Sequence, residues 1–162
     1  MRRQRRRDLT ALKSVLYLLV VQNFGFYIPR AFCRSGPKVH AGALAYLAFF
    51  LWSLGILGVL WCFWDFTYRG RGTPLPTDPP RELVVSGLYR YVRNPIYVSV
   101  ILILLGHFLW FGYWSLLVYA GLGFVGTHLF VTVYEEPSLR KRFGGAYEDY
   151  LSKVPRWFPT FK

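Results

Sequence analysis

The feature that most constrains the fold is a run of 40 residues, Pro95 to Tyr134, that contains no Asp, Glu, Lys or Arg. With a rise of about 1.5 Å per helical residue, such a run is about 60 Å long. That length is roughly two crossings of a ~30 Å hydrocarbon core. A helical hairpin would therefore return Glu135 to the membrane face at which Arg93 lies. The run predicts two transmembrane helices that bring two distant polar clusters to one surface.

The composition favours a membrane protein over a soluble one. Of the 162 residues, 54% are hydrophobic and 20% are aromatic, and lipid covers apolar surface that a soluble domain of this size would have to bury. Backbone groups in lipid must be paired within the chain, so helices are expected. We predict an all-α fold, an integral membrane bundle of about four transmembrane helices with a cytoplasmic C-terminal helix. The predicted spans of this single domain (1–162) are 9–28, 41–64, 95–110 and 113–134.

The basic residues predict the orientation of the bundle. Sixteen of the 20 lie before the first span, between the second and third, or after the fourth; Lys13 lies near the start of the first span on the same side, and only Arg30, Arg34 and Lys38 lie on the other side. The positive-inside rule then gives a multi-pass protein with both termini in the cytoplasm. The net charge of +12 does not indicate nucleic-acid binding, because the basic residues flank apolar segments and form no basic domain. We predict contact with the bilayer instead.

Two segments are expected to be polar and cytoplasmic, 67–94 and 135–162. Four prolines make the first half of the central segment irregular, and its second half, Leu83 to Tyr91, is predicted to be a short interfacial helix. The tail is predicted to be a helix from Pro137 that ends before Pro155. The basic start of the chain resembles a signal peptide, but no small-residue cleavage site follows it, so we expect a retained first span.

The candidate site residues lie at the ends of the predicted hairpin. Glu135 and Glu136 stand where the helix dipole disfavours acids, and we favour ligand binding over a merely solvated helix end. Asn94 and Pro95 are suitable for the start of a helix, with Arg93 as a membrane-side anchor. A helix start also attracts a carboxylate, and these residues alone leave the two interpretations equal.

Aromatic and histidine residues allow further alternatives. The tyrosines of this face, among them Tyr89 and Tyr97, are typical of an interfacial aromatic belt, and could also stack on a ligand or bind a sulfonium. His107 is expected near the far interface, and His128 could face a substrate cavity. Neither histidine has a carboxylate at ligand spacing, and the two cysteines form no ligand or disulfide pattern. No metal site and no catalytic residue are predicted.

Several short motifs, taken together, resemble the isoprenylcysteine carboxyl methyltransferase family. They are Leu83-Val84-x-Ser86-Gly87-x-Tyr89, Arg93-Asn94-Pro95-x-Tyr97, Glu135-Glu136-x-x-Leu139, Phe143-Gly144, Tyr147, Tyr150 and Val154-Pro155. The resemblance covers about residues 70 to 160, and the family is related to phospholipid methyltransferases. The loop at Gly72-Thr73-Pro74 is similar to that of bacterial members.

The resemblance implies S-adenosyl-L-methionine as methyl donor, bound by the two cytoplasmic segments. It implies that Leu83 and Val84 line the donor site, that Tyr89 contacts the donor, and that Glu135 binds a polar end of it. The same resemblance places Arg93, Asn94, Pro95, Tyr97 and Glu136 around the donor. Asn94 stands where the family has a His, which rules out a titrating role there. Val131 replaces an Arg expected on the substrate side of the eukaryotic enzyme.

The function predicted from the resemblance is S-adenosylmethionine-dependent methylation of a lipophilic acceptor, such as an isoprenylcysteine-type carboxylate. Two alternatives stay open, phospholipid N-methylation and a non-enzymatic membrane scaffold. The expected partners are the lipid bilayer and a lipophilic or lipidated substrate, with no nucleic acid. The sequence does not predict the oligomeric state.

Overall fold

The computed structural model describes residues 27–29, 37–39, 42–68 and 82–159. Regular structure within these residues is helical, apart from an isolated bridge between Lys38 and Tyr113. The fold is thus all-α in the part that the structure describes. The first predicted span lies outside the described residues except for its last two, so the four-span bundle stays a prediction.

The described helices comprise three long apolar helices together with shorter helices and helical turns. In chain order they are a 3-10 turn at Gly42–Tyr46, α1 (Leu47–Tyr68), a 3-10 turn at Gly87–Arg90, α2 (Pro95–Phe111), α3 (Trp114–Phe130), a π-turn at Val131–Glu135, α4 (Glu136–Phe143) and α5 (Gly145–Lys153). The predicted spans 41–64, 95–110 and 113–134 correspond to α1, α2 and α3.

Two helical stretches are long and apolar enough to cross a membrane, Gly42–Phe66 with 25 residues and Trp114–Phe143 with 30. The 17 residues of α2 measure about 26 Å, slightly less than a hydrocarbon core. Large apolar side chains point outward from both long stretches; Leu57 and Leu122, for example, are 63% and 67% exposed. Apolar surface of this extent needs a covering partner, and lipid provides one.

The predicted turn between the last two spans is confirmed. Gly112 ends α2 in the left-handed conformation, with φ of 73°, and its N–H donates to the Phe108 carbonyl. A side chain on Gly112 would overlap the Val39 carbonyl, and the Val39 N–H donates to the Gly112 carbonyl over 2.7 Å. Glycine is required here both by the backbone conformation and by this close contact.

α2 packs against α1 along most of its length and against α3 more loosely. In the α1–α2 contact the Trp52 indole lies directly over Gly106, and its Nε1 donates to His107 Nδ1 over 3.2 Å. His107 is 4% exposed. The expectation that His107 meets the far interface is therefore wrong, because the indole of Trp52 covers the ring inside the protein.

The contact between Gly106 and Trp52 predicts a selective loss of stability. A Cβ at Gly106 would lie 2.6 Å from Trp52 Cδ1, so Gly106→Ala must displace the indole, and overpacking of this kind costs about 1–3 kcal/mol. Gly121→Ala is the matched control, because a Cβ at Gly121 meets nothing within 4 Å. Unfolding in detergent micelles should show a lower midpoint for Gly106→Ala only. Equal midpoints for both variants would contradict this packing.

Two predicted helices differ from the structure. Leu83 to Tyr91 has no regular structure at first and then forms only the 3-10 turn, because Gly87 has φ of +61° and a side chain there would overlap the Asp65 carboxylate. The predicted C-terminal helix is two helices, since Gly144, with φ of +53°, separates α4 from α5. The last apolar helix also continues past Glu135 into α4 without a break.

Candidate active site

The acid pair Glu135-Glu136 lies where α3 passes through a π-turn into α4. The π-turn spans Val131–Glu135, and Val131 is 1% exposed. A π-turn inserts one additional residue into a helical turn and is frequent at functional sites. It brings both carboxylates towards the start of α2, as the hairpin length predicted.

Glu136 is buried between two arginines. Its Oε1 accepts from Arg93 Nη1 over 2.8 Å, and the guanidinium of Arg156 donates to both carboxylate oxygens over 2.8 and 2.9 Å. The Glu136 side chain is 7% exposed, against 14% for Arg93 and 30% for Arg156. A buried acid requires this kind of pairing and hydrogen bonding.

Glu135 has different partners although it is the adjacent residue. Its Oε2 accepts from the Tyr97 hydroxyl over 3.1 Å, and the residue is only half-buried. Among the described residues no ion pair involves Glu135. Within the described residues, Glu135 is therefore the carboxylate of the pair that has no ion-pair partner.

Residues 154–157, which we call the C-terminal strap, cross the start of α2. The Arg93 N–H donates to the Pro155 carbonyl over 2.9 Å, and Asn94 Nδ2 donates to the Arg156 carbonyl over 3.2 Å. Asn94 thus occupies the N-cap position of α2, but its side chain makes no capping bond. The expected cap is wrong in this respect, because the amide bonds to the strap instead.

Three buried tyrosines line the side of the site formed by α5 and the central segment. Burial raises the pKa of Tyr147 to about 12, and the nearby Glu136 carboxylate adds to the shift. Burial likewise raises the pKa of Tyr89 and of Tyr150, and the Tyr150 hydroxyl donates to the Tyr89 carbonyl over 2.8 Å. All three phenols are therefore neutral hydrogen-bonding groups at physiological pH.

Leu83 and Val84 enter two different apolar clusters that border the polar residues. Val84 packs with Cys62, Tyr89 and Ile96, whereas Leu83 packs against the tail cluster around Tyr147, Tyr150 and Val154. Residues 83 and 84 therefore contact the α1 side through Val84 and the α5 side through Leu83.

His128 contacts the strap. Trp157 Nε1 donates to His128 Nδ1 over 3.1 Å, and the Trp157 ring also packs on Phe124 at 5.0 Å between centroids. The predicted role of His128 in a substrate cavity has no support in this contact, since an indole of the same chain occupies the imidazole nitrogen.

A scan against protein families matched residues 43–146 to the model of the phospholipid methyltransferase family. The match takes in α1, α2, α3 and both acids of the pair. The chain belongs to the phospholipid methyltransferase family. A search of curated proteins found no match. Membership of this membrane family, together with the two long apolar helices, makes the chain an integral membrane protein and a methyltransferase.

The phospholipid methyltransferase match ends before Tyr147 and the strap. Two residues near the site, Arg156 and Asp65, were not predicted from the sequence. Arg156 was counted only as a basic residue of the tail, and no local signal links it to Glu136, 20 residues earlier. Asp65 is 1% exposed beneath Gly87; its signal was that it is the sole charged residue of the apolar stretch from Ala41 to Tyr68. The loop at 72–74 lies outside the described residues.

Proposed function

We propose that the protein transfers a methyl group from S-adenosyl-L-methionine to a lipophilic acceptor at the cytoplasmic membrane surface. The observation that carries the proposal is the position of Glu135, a half-buried acid bound by Tyr97, at one end of two apolar helices within the family match. The segments 67–94 and 135–162 would bind the donor, and both termini would be cytoplasmic.

The residues present fit the donor chemically. Arg93 Nε is buried and has no hydrogen-bond partner among the described residues, so it is a free donor for a carboxylate. Glu135 carries the opposite charge and suits an ammonium or ribose hydroxyls. Tyr89 and Tyr97 provide aromatic faces and edges for a sulfonium or an adenine ring. S-adenosylmethionine combines all of these groups.

The donor, when bound, supplies an activated methyl group that a nucleophile can accept directly. The main tasks of the protein are then orientation and exclusion of water. Glu135 and Arg93 would fix the two charged ends of the amino-acid moiety, and Val84 and Ile96 would keep the adjoining apolar side dry. The neutral phenol of Tyr147 would hydrogen-bond without adding charge. A carboxylate, thiolate or neutral amine needs little activation, so no general base is assigned.

The acceptor is proposed from two observations that point to different classes. The motifs between Leu83 and Pro155 resemble those of isoprenylcysteine carboxyl methyltransferases, which favours a prenylcysteine-type carboxylate. The family match is described by phospholipid methylation, which favours an amine headgroup. Both acceptors are lipophilic and would enter from the bilayer between the helices.

A labelled-donor assay distinguishes these acceptors. Protein in detergent–lipid micelles is given S-adenosylmethionine with a labelled methyl group, and either a prenylcysteine analogue or phosphatidylethanolamine. We expect label in the prenylcysteine ester, and base hydrolysis should release it as methanol. Label in the phospholipid headgroup instead would establish the second acceptor. Absence of both products, together with absence of donor binding, would support the scaffold alternative and refute the proposed reaction.

A further inference from the structure

The two adjacent acids have different kinds of partner in the rest of the protein. Glu136 is paired with both Arg93 and Arg156, so its charge is compensated within the chain. Glu135 accepts a bond from the Tyr97 hydroxyl and forms no ion pair with another described residue. Neighbouring residues of identical chemistry therefore have different partners, and the difference arises from Arg93 and Arg156.

The strap joins elements that are far apart in sequence. Its backbone carbonyls at Pro155 and Arg156 accept from Arg93 and Asn94 at the start of α2. Its Arg156 guanidinium forms a bidentate pair with Glu136 at the start of α4. The strap thus connects the two helices between which Tyr97 and Glu135 meet.

A second anchor fixes the strap beyond Arg156. The indole of Trp157 bonds to His128 and packs on Phe124, both on α3. The Arg156 backbone is therefore held on one side by Asn94 and on the other by α3. A long, flexible side chain loses less freedom on pairing when its backbone is already fixed, so the bidentate contact with Glu136 is favoured.

We propose that Arg156 is a positioning residue that, by holding Glu136, keeps Glu135 against Tyr97 and facing the donor. The π-turn that carries Glu135 departs from regular α-helical hydrogen bonding, and the pairing of Glu136 immediately after it restrains its rotation. This inference rests on the proposed function, since it assigns the donor to Glu135. The strap lies outside the family match, which ends at residue 146.

Hydrogen exchange and steady-state kinetics together test the proposal. The Arg93 amide bonds to the strap, so its exchange reports whether the strap is seated, without any donor. Arg156→Gln should accelerate exchange at Arg93 and in residues 154–159 by about tenfold or more, the effect of losing a charged pair. It should raise the KM for S-adenosylmethionine about tenfold and leave kcat at saturating donor within about twofold. Arg156→Lys, which retains the charge but not the fork geometry, should have exchange rates and a KM between those of the parent and of Arg156→Gln.

Lys153→Gln is the matched control, because it removes one positive charge from an exposed position three residues earlier. The amide exchange rates, KM and kcat of Lys153→Gln should equal those of the parent. Glu135→Gln should lose donor affinity without loosening the strap, whereas Glu136→Gln should loosen the strap. Unchanged exchange in Arg156→Gln, or a fall in kcat with constant KM, would overturn the proposal. If the parent binds no donor, the proposed function fails and the positioning role fails with it, whereas a loosened strap in Arg156→Gln would still identify Arg156 as its anchor.

Discussion

Glu135→Gln should weaken binding of S-adenosylmethionine at least tenfold. The substitution retains the shape of the side chain and its contact with Tyr97 but removes the one charge of the acid pair that no described residue compensates. A hydrogen bond to a charged group contributes about 1.5–3 kcal/mol, and about 1.4 kcal/mol corresponds to tenfold in the dissociation constant. Tyr97→Phe, which removes a single hydrogen bond to Glu135, should have a smaller effect.

The measurement is equilibrium binding of donor to purified protein in micelles, without acceptor. Glu148→Gln is the control: Glu148 forms a surface ion pair with Arg140, and both side chains are more than half exposed. It should bind donor like the parent. If Glu135→Gln also binds like the parent, the donor site is not at Glu135, whatever the acceptor is.

Glu136→Leu should cause the largest loss of stability of any substitution considered. It leaves the guanidinium groups of Arg93 and Arg156 without their shared carboxylate, in a site where the Arg93 side chain is 14% exposed. Breaking a buried ion pair by removing one partner costs about 3–5 kcal/mol, because the remaining charges are desolvated. The free energy of unfolding in mixed micelles should fall by about that amount.

The same substitution at the exposed pair provides the comparison. Glu148→Leu breaks its ion pair with Arg140, and exposed pairs of this kind contribute about 0–1 kcal/mol. The two variants lose the same charge and gain the same side chain. The difference between their losses of unfolding free energy therefore measures the effect of burying the ion pair. Equal losses would show that the contact between Glu136 and the two arginines is not stabilising.

The three long apolar helices and the turn between the last two followed from local properties of the sequence. An apolar run too long for one crossing must turn, and Gly112 is the residue in it that adopts the left-handed conformation at the turn. The same run predicted that Arg93 and Glu135 would share one end of the bundle. Local patterns were less reliable where polar and apolar residues mix: Leu83 to Tyr91 forms only a 3-10 turn, at a glycine that lies close to the distant Asp65.

Asn94 shows why the site could be located but not described from sequence. The pair Asn94-Pro95 is typical of a helix start, and α2 does begin at Pro95. The amide, however, donates to a carbonyl 62 residues away. A local cap and a distant acceptor are equally available to an asparagine side chain, and only the position of the strap decides between them.

The sequence by itself determined that this chain forms apolar helices with an acid pair and an arginine at one end, because hydrophobicity and charge act through residue order alone. Only the tertiary structure decided which acid is paired with arginines. Glu135 and Glu136 are chemically identical neighbours, and their difference comes from a π-turn and from Arg156, 20 residues further on. Ion pairing falls off with distance through space and not along the chain, so the different partners of the two acids were fixed only when the fold brought Arg93 and Arg156 to Glu136.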